Sequence, residues 1–532
     1  MTHLIRQQYI HVDLQGSESE GFALQNRLSD LCNAWLNQAI ERILDRCAPP
    51  GGRLCIDRLE LDAGTLTLDN IEHSLTEAVA QALEKALLEQ IPPGEAFSSP
   101  GSGGDANTRL KNDRQAATEA FIYFLETGRL PWSFRLPAGV SFEQFLTETW
   151  KPAQGGDSAP APVTQWSRAL SAPQALQRLM LQFSEAFLHE LLQQMSPQAH
   201  ASVARIFAAV RSASAVSLPG AEIRPVFEKQ LWEAAFRQAA RAVVAGEIEL
   251  IAFALAARPE TISFILPALK DVLRPTDLPE FTRQLATHSA PAFPALTPLL
   301  ERQLNTLFKP LSPEIQALLK TGAASSRTGK PRSRGKANAS SSAPDATETA
   351  HISISKPGKT QTPETFPEEG IYVDNAGLVI LHPFLQMFFE NLGIAHAGAL
   401  AQPDRALHLL HFLCTGQTPA PEYELVLPKI LCNIPLEDPV EFDIVLTDQE
   451  KDESTTLLTS AIRWWEALRN TSPDALRGTF LCRPGKLSVR GDGDWLLQVE
   501  RQSYDILLDH LPWGISVAKL PWMERILWVE WG

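Results

Sequence analysis

Residues 487–499, LSVRGDGDWLLQV, carry the pattern that decides the fold class. Leu487 and Val489 alternate with polar neighbours, Gly491-Asp492-Gly493-Asp494 supplies a turn, and Trp495, Leu497 and Val499 alternate back. Period-two patterning on both sides of a Gly/Asp turn reads as a β-hairpin, because successive strand side chains point to opposite faces. Upstream the period is helical. Gly377–Leu385 leads into a helix, Ala406–Leu413 forms another, and Leu457–Leu468 a third that carries Trp464 and Trp465. The closing ILWVEW (526–531) is strand-like again, so 371–532 is expected to be a mixed α+β domain. Seven of the 12 Trp lie after residue 463, which calls for a large aromatic core or an aromatic contact surface.

Moving toward the N-terminus, residues 321–370 run through Ser, Thr, Lys, Gly and Pro with almost no large apolar side chain. Such a stretch cannot bury enough surface to offset its ordering entropy and is expected to be a disordered, charged linker. Its basic cluster (Arg327, Lys330, Arg332, Arg334, Lys336) precedes a run of acidic residues and reads as a solvated tail. Residues 166–320 are rich in Ala and Leu at helical spacing, interrupted by Pro and Gly, and are expected to form a mainly helical middle. Two shorter linkers, 152–165 and 92–107, flank a helical unit at 108–150, whose helix over Ala116–Thr127 stops at Gly128. The first block, 1–91, reads as α+β. It has a strand at Ile10–Leu14, helical spacing from Leu24 to Ile43, a second strand at Leu54–Leu61 with a turn at Gly64, and a helix over Ile71–Gln90.

The chain of 532 residues has 47 Lys and Arg against 62 Asp and Glu, a formal charge of −15. That sign argues against a surface built to grip nucleic acid. The six Cys make no C-x-x-C pair and read as reduced thiols of a cytosolic protein. Residues 1–20 hold no apolar core of a secretory signal, and no apolar run approaches the ~20 residues of a membrane span. The 39 Pro rule out one continuous helical rod over most of the length.

No catalytic pattern emerges from the sequence. His408 and His411 have the i,i+3 spacing of two metal ligands but lack a third, and a hydrogen-bonded structural role is expected. Gly485-Lys486-Leu487-Ser488 lacks the first Gly of a phosphate loop and leads into a strand rather than a helix. Asp57, Glu60 and Asp62 alternate with Leu59 and Leu61 as a solvated strand face does. Arg490-Gly491-Asp492 is turn chemistry rather than an adhesion motif. No metal and no cofactor is expected. One internal echo stands out: Phe124-Leu125-Glu126-Thr127-Gly128 is matched by Phe412-Leu413-Cys414-Thr415-Gly416, each Gly expected to end a helix in the left-handed conformation. Leu-Pro-Trp occurs at 130–132, 511–513 and 520–522.

Six stretches carry more than composition does: LCIDRLELDAGTL (54–66), FLETGRLPW (124–132), GLVILHPFLQMFF (377–389), ALHLLHFLCTGQTPAPEYELVLPKILCNIP (406–435), SPDALRGTFLCRPGKL (472–487) and WLLQVERQSYDILLDHLPWGISVAKLPWM (495–523). In them the chain resembles the tape measure proteins of contractile injection systems, phage-tail-like particles with a sheath, an inner tube and a spike-bearing baseplate. The resemblance implies a non-enzymatic structural protein that sets tube and sheath length from the baseplate hub. It implies the inner tube and the baseplate hub or spike as partners, several copies per particle, and a place in the producing cell's cytoplasm and then in the particle lumen. The alternative is a baseplate or spike assembly adaptor or chaperone without a ruler role. Trp132, Trp513 and Trp522 are the candidate protein-contact residues, with a role as core tryptophans as the other reading.

Overall fold

The computed structural model describes residues 3–5, 8–15, 17–31, 35–48, 52–67, 70–90, 108–137, 139–151, 162–217, 223–242, 246–270, 272–325 and 370–532. The expected linker at 92–107 lies outside them, as do 152–161 of the linker at 152–165 and 326–369 of the charged stretch at 321–370. The chain divides into two compact units. One comprises 1–123 and 130–160, the other 124–129 and 161–532. Mixed strands and helices at the N-terminus, helices in the middle and a sheet at the C-terminus make this a multi-domain α+β protein.

In the first unit the helices Glu18–Leu31, Asn37–Cys47 and Ile71–Gln90 bury two small apolar clusters, Leu24/Leu31/Ile71/Leu75 and Leu36/Ile40/Ile43/Leu83/Leu87. Strand β1 (Gly52–Ile56) pairs antiparallel with β2 (Thr108–Asn112), Leu54 opposite Leu110. Two expectations need correction. Ile10–Leu14 forms no strand: it has no ladder partner among the described residues, and Ile10 and Val12 stay exposed. The second strand ends at Ile56, where its pairing with Thr108 runs out, instead of reaching Leu61. The alternation beyond it nonetheless holds, since Leu59 and Leu61 pack on the helices while Asp57, Glu60 and Asp62 face solvent. The helices Asp113–Thr127 and Phe142–Trp150 follow; Ser141 caps the second by accepting the Gln144 N–H, and Trp150 meets Phe121 edge-on at 5.1 Å.

The second unit opens with helices of seven to 21 residues from Val163 to Ser325, many begun by proline at the first turn, as at Pro173, where the missing N–H costs nothing. The rest is built on β3 (Ile371–Val373), β4 (Ala395–His396), β5 (Ala399–Leu400), β6 (Gly485–Val489), β7 (Trp495–Val499), β8 (Val517–Ala518) and β9 (Leu527–Trp531). The hairpin expected from the sequence is β6–β7, registered Gly485↔Val499 through Val489↔Trp495. It sits in a five-stranded sheet of order β3-β6-β7-β9-β8, in which β7 and β9 are parallel. The edges are strands of only three and two residues, which limits the backbone offered to another chain. Leu487, Leu497, Leu527 and Val529 enter the core, while Gln498 and Glu530 bond to each other on the opposite face. The expected helix at Leu457–Leu468 runs instead over Asp448–Trp464, started by a Thr447/Glu450 capping box, and a short 3-10 turn follows at Glu466–Leu468.

Behind the sheet the 3-10 segment Ala376–Leu381 runs so close to Phe480 that a Cβ on Gly377 would overlap that residue's carbonyl. Gly377→Ala is therefore expected to cost about 1–3 kcal/mol of unfolding free energy, as overpacking of a filled core does. Chemical denaturation measures it, and an unchanged midpoint would mean the two backbones are free to separate.

Candidate functional site

The helix Pro173–Gln182 follows an amphipathic pattern, and its buried face includes Ala175, Leu179 and, unexpectedly, Arg178. The six-residue helix Val426–Leu431 is buried throughout, Lys429 included. Two cations inside a core demand a counter-charge and full hydrogen bonding. Glu422, on the 3-10 turn Glu422–Glu424, supplies the charge. Its Oε2 accepts Arg178 Nε–H at 2.8 Å and its Oε1 accepts Lys429 Nζ–H at 2.7 Å. The Arg178 and Glu422 side chains are 0% exposed and Lys429 is 2%.

Backbone carbonyls take up the remaining donors. Arg178 Nη1 bonds to Leu125 O and Nη2 to Glu437 O; Lys429 Nζ bonds to Leu436 O at 3.0 Å and Asp438 O at 2.7 Å. Gln182 extends the seam, its Oε1 accepting the Glu422 N–H and its Nε2 donating to Val440 O. Burial pushes the Lys429 amine below its ordinary value, and the adjoining Glu422 pulls it back part of the way. Gly128, at φ +73°, completes the packing, because a Cβ there would strike the Glu422 carboxylate. The cluster thus ties the 124–129 turn, the helical middle and the C-terminal segment into one unit. It holds no nucleophile poised against a base, and its chemistry is that of a lock.

A second buried pair fixes the chain's end. Arg483 Nη1 and Nη2 bind the two Asp505 oxygens at 2.6 and 2.9 Å, and Trp531 Nε1 donates to Asp505 Oδ2. Burial alone would raise the Asp505 carboxyl; Arg483, the Gln502 N–H and Trp531 outweigh it and hold the group below the usual carboxylate range.

Trp132 lies half-buried in the first unit, and Trp513 and Trp522 half-buried in the second. The two C-terminal Leu-Pro-Trp units clasp one helix, His382–Asn391. Trp513 stands edge-on to Phe384 at 5.0 Å with its N–H on Ile380 O, and Trp522 packs on Phe389 with its N–H on Leu431 O. His408 and His411 do not converge: His408 Nε2 bonds to Glu441 O, and His411 Nε2 to Glu424 Oε2. Among the described residues no group of His, Cys, Asp and Glu could hold a metal ion. Arg490-Gly491-Asp492 forms the hairpin turn, and Asp494 accepts the Ile526 and Trp528 N–H groups. The Cys414 and Cys482 thiols share a hydrogen bond at 3.9 Å and form no disulfide. No single helix among the described residues is long and apolar enough to cross a membrane.

Sequence reading missed Arg178, Glu422 and Lys429. The usable signal was Lys429 set in Val426-Leu-Pro-Lys-Ile-Leu431, a charge with apolar neighbours on every side of a helix.

A family model described as contractile injection system tape measure protein matches residues 2–531. Among curated proteins and among solved structures, no match to the chain is found.

Two outcomes follow from the site. Glu422→Gln leaves two buried cations without their carboxylate and is expected to cost about 3–5 kcal/mol in denaturant unfolding. Glu424→Gln, at a half-exposed carboxylate, is expected to cost about 1 kcal/mol or less. Near-equal losses would contradict the lock. The second concerns acid. Burial holds His408 below its ordinary value, and its Nδ1 has no hydrogen-bond partner, so the folded state resists protonation. The unfolded chain takes up that proton near pH ~6.5, so stability falls as pH drops below that value. His408→Gln should flatten the fall in melting temperature between about pH 7 and 5; an unchanged slope would remove His408 from the account.

Proposed function

The chain belongs to the contractile injection system tape measure family, and from that premise we propose that it is a non-enzymatic structural protein that sets inner tube and sheath length from the baseplate hub. The observation that carries this is the extent of the family match, which runs over residues 2–531. Its partners in this reading are the inner tube and the hub or spike proteins, it acts in several copies per particle, and it passes from the cytoplasm of the producing cell into the particle lumen. The net charge of −15 supports protein rather than nucleic-acid partners.

The fold constrains the mechanism. Among the described residues the longest helix has 21 residues, about 30 Å at 1.5 Å per residue, whereas the whole chain as one helix would reach about 800 Å. A ruler that works by reach must therefore open the compact second unit, breaking the buried ion cluster, or read length through rearranged helices. The same cluster favours a second reading: an assembly adaptor or chaperone that acts in its compact form, docking tube to baseplate or spike without a metric role. Trp132, Trp513 and Trp522 remain its contact candidates. The mark of a contact is a substitution that abolishes assembly while the purified protein keeps its melting temperature.

Deleting or duplicating helices within 166–320, outside Pro173–Gln182, separates the two readings. Particle length in electron micrographs is expected to shorten or lengthen with the segment. Particles of unchanged length would defeat the ruler and leave the adaptor.

A further inference from the structure

The F-L-x-T-G echo is three-dimensional. In both copies the Gly N–H bonds back to the Phe carbonyl, Gly128 to Phe124 O at 2.7 Å and Gly416 to Phe412 O at 2.8 Å, with φ of +73° and +72°. In both, the residue after Gly donates its N–H to the Thr hydroxyl, Arg129 to Thr127 and Gln417 to Thr415. In both, an arginine from a distant helix donates to the Leu carbonyl, Arg178 to Leu125 O and Arg477 to Leu413 O. The two arginines follow similar Pro-x-Ala-Leu segments, Arg178 five residues after its Pro and Arg477 four. Pro173-Gln-Ala-Leu176 precedes Arg178 and Pro473-Asp-Ala-Leu476 precedes Arg477, each Pro opening its helix, with a fully buried Trp upstream, Trp166 and Trp465. The chain therefore contains one helix-cap device twice.

The copies differ in what lies on them. On the first, the turn Glu422–Glu424 sits over Gly128 and gives Arg178 its carboxylate, while Gln182 accepts the turn's N–H. On the second, Gly416 is exposed, and Arg477 Nη1 is met by Asp474, whose side chain is 89% exposed. Neither Gln174, the residue after Pro173, nor Ala175, three before Arg178, carries a charge in the first copy. Cys482, exposed, lies nine residues after Pro473 as Gln182 lies nine after Pro173, and the extra residue between Arg477 and Cys482 is taken up by the π-turn Arg477–Leu481, closed by the Cys482 N–H on Arg477 O. Asp474 is thus a surface stand-in for a carboxylate that the first copy receives from another part of the chain, and such i,i+3 surface pairs are weak.

We infer that the Gly416/Arg477 face is a docking site for an acidic turn of a partner protein, a proline-preceded glutamate that seats on Gly416 and takes Arg477 from Asp474 as Glu422 takes Arg178. The occupant is not a second copy's Glu422, which is buried in its own chain. The inference is independent of whether the protein measures length.

The probe is a fluorescent peptide of residues 419–428 (PAPEYELVLP), the segment that fills the first site, titrated into the full chain and read by anisotropy. Saturable binding is expected, about tenfold weaker for the peptide carrying Glu422→Gln and about tenfold weaker for Arg477→Met protein, the worth of one charge-assisted hydrogen bond. Because Arg477 also caps a helix, Asp474→Asn gives the reading that folding cannot confuse: removing the competing carboxylate should tighten binding about two- to fivefold. No saturable binding, or binding indifferent to both Asp474→Asn and the peptide's glutamate, would overturn the site. Self-association of the unliganded protein that Arg477→Met abolishes would assign the face to a second copy and overturn the partner.

Discussion

The Glu422 carboxylate, shared by Arg178 and Lys429 out of reach of solvent, is the constraint on which the second unit depends. Arg178 and Glu422 are 244 residues apart in sequence, so neither charge can be buried until both regions have folded and met. Two cations and one anion leave an excess positive charge, and the structure disperses it over the Leu125, Glu437, Leu436 and Asp438 carbonyls. Such a cluster adds little net stability compared with an apolar replacement, because desolvation offsets the attraction. Its constraint is geometric: any arrangement that misplaces one segment strands a bare charge in the core. That is a reason for the helical middle and the C-terminal sheet region to behave as one body despite the long stretch of chain between them.

The local elements were legible from the sequence, and the long-range ones were not. The β6–β7 hairpin, the helix Ile71–Gln90 and the helix stops at Gly128 and Gly416 all follow from period and turn chemistry acting over a few residues. Ile10–Leu14 shows the limit of that reasoning, since alternation states that a segment could be a strand and says nothing of whether a partner lies beside it. The ion cluster was invisible for the same reason. Arg178 looks like any surface arginine in an Ala/Leu-rich helix, and only the carbonyls delivered by 125 and 437 make its burial tolerable. The tryptophans lie between these cases. Their abundance announced an aromatic C-terminus, but that Trp513 and Trp522 grip the same helix through Phe384 and Phe389 is a property of the assembled sheet.

A structural component of a particle has two physical tasks, to hold a defined form until it meets its partners and to change or dock on meeting them. Buried polar locks serve the first: Arg178–Glu422–Lys429 in the middle of the second unit and Arg483–Asp505–Trp531 at its end. The helical middle is built of helices separated by proline and glycine, most of them short enough to depend on packing rather than on their own hydrogen bonds. The two copies of the F-L-x-T-G device differ: the arginine of one is paired from a distant part of the chain, and that of the other has an exposed carboxylate three residues before it.

Native-state hydrogen exchange in low denaturant tests the central claim most directly. If the buried charges make one cooperative body, the protected amides of Phe124–Arg129, Pro173–Gln182 and Val426–Leu431 will open together, with the same free energy and the same dependence on denaturant. Exchange in separate steps, with the helical middle opening while the C-terminal segment stays closed, would contradict it.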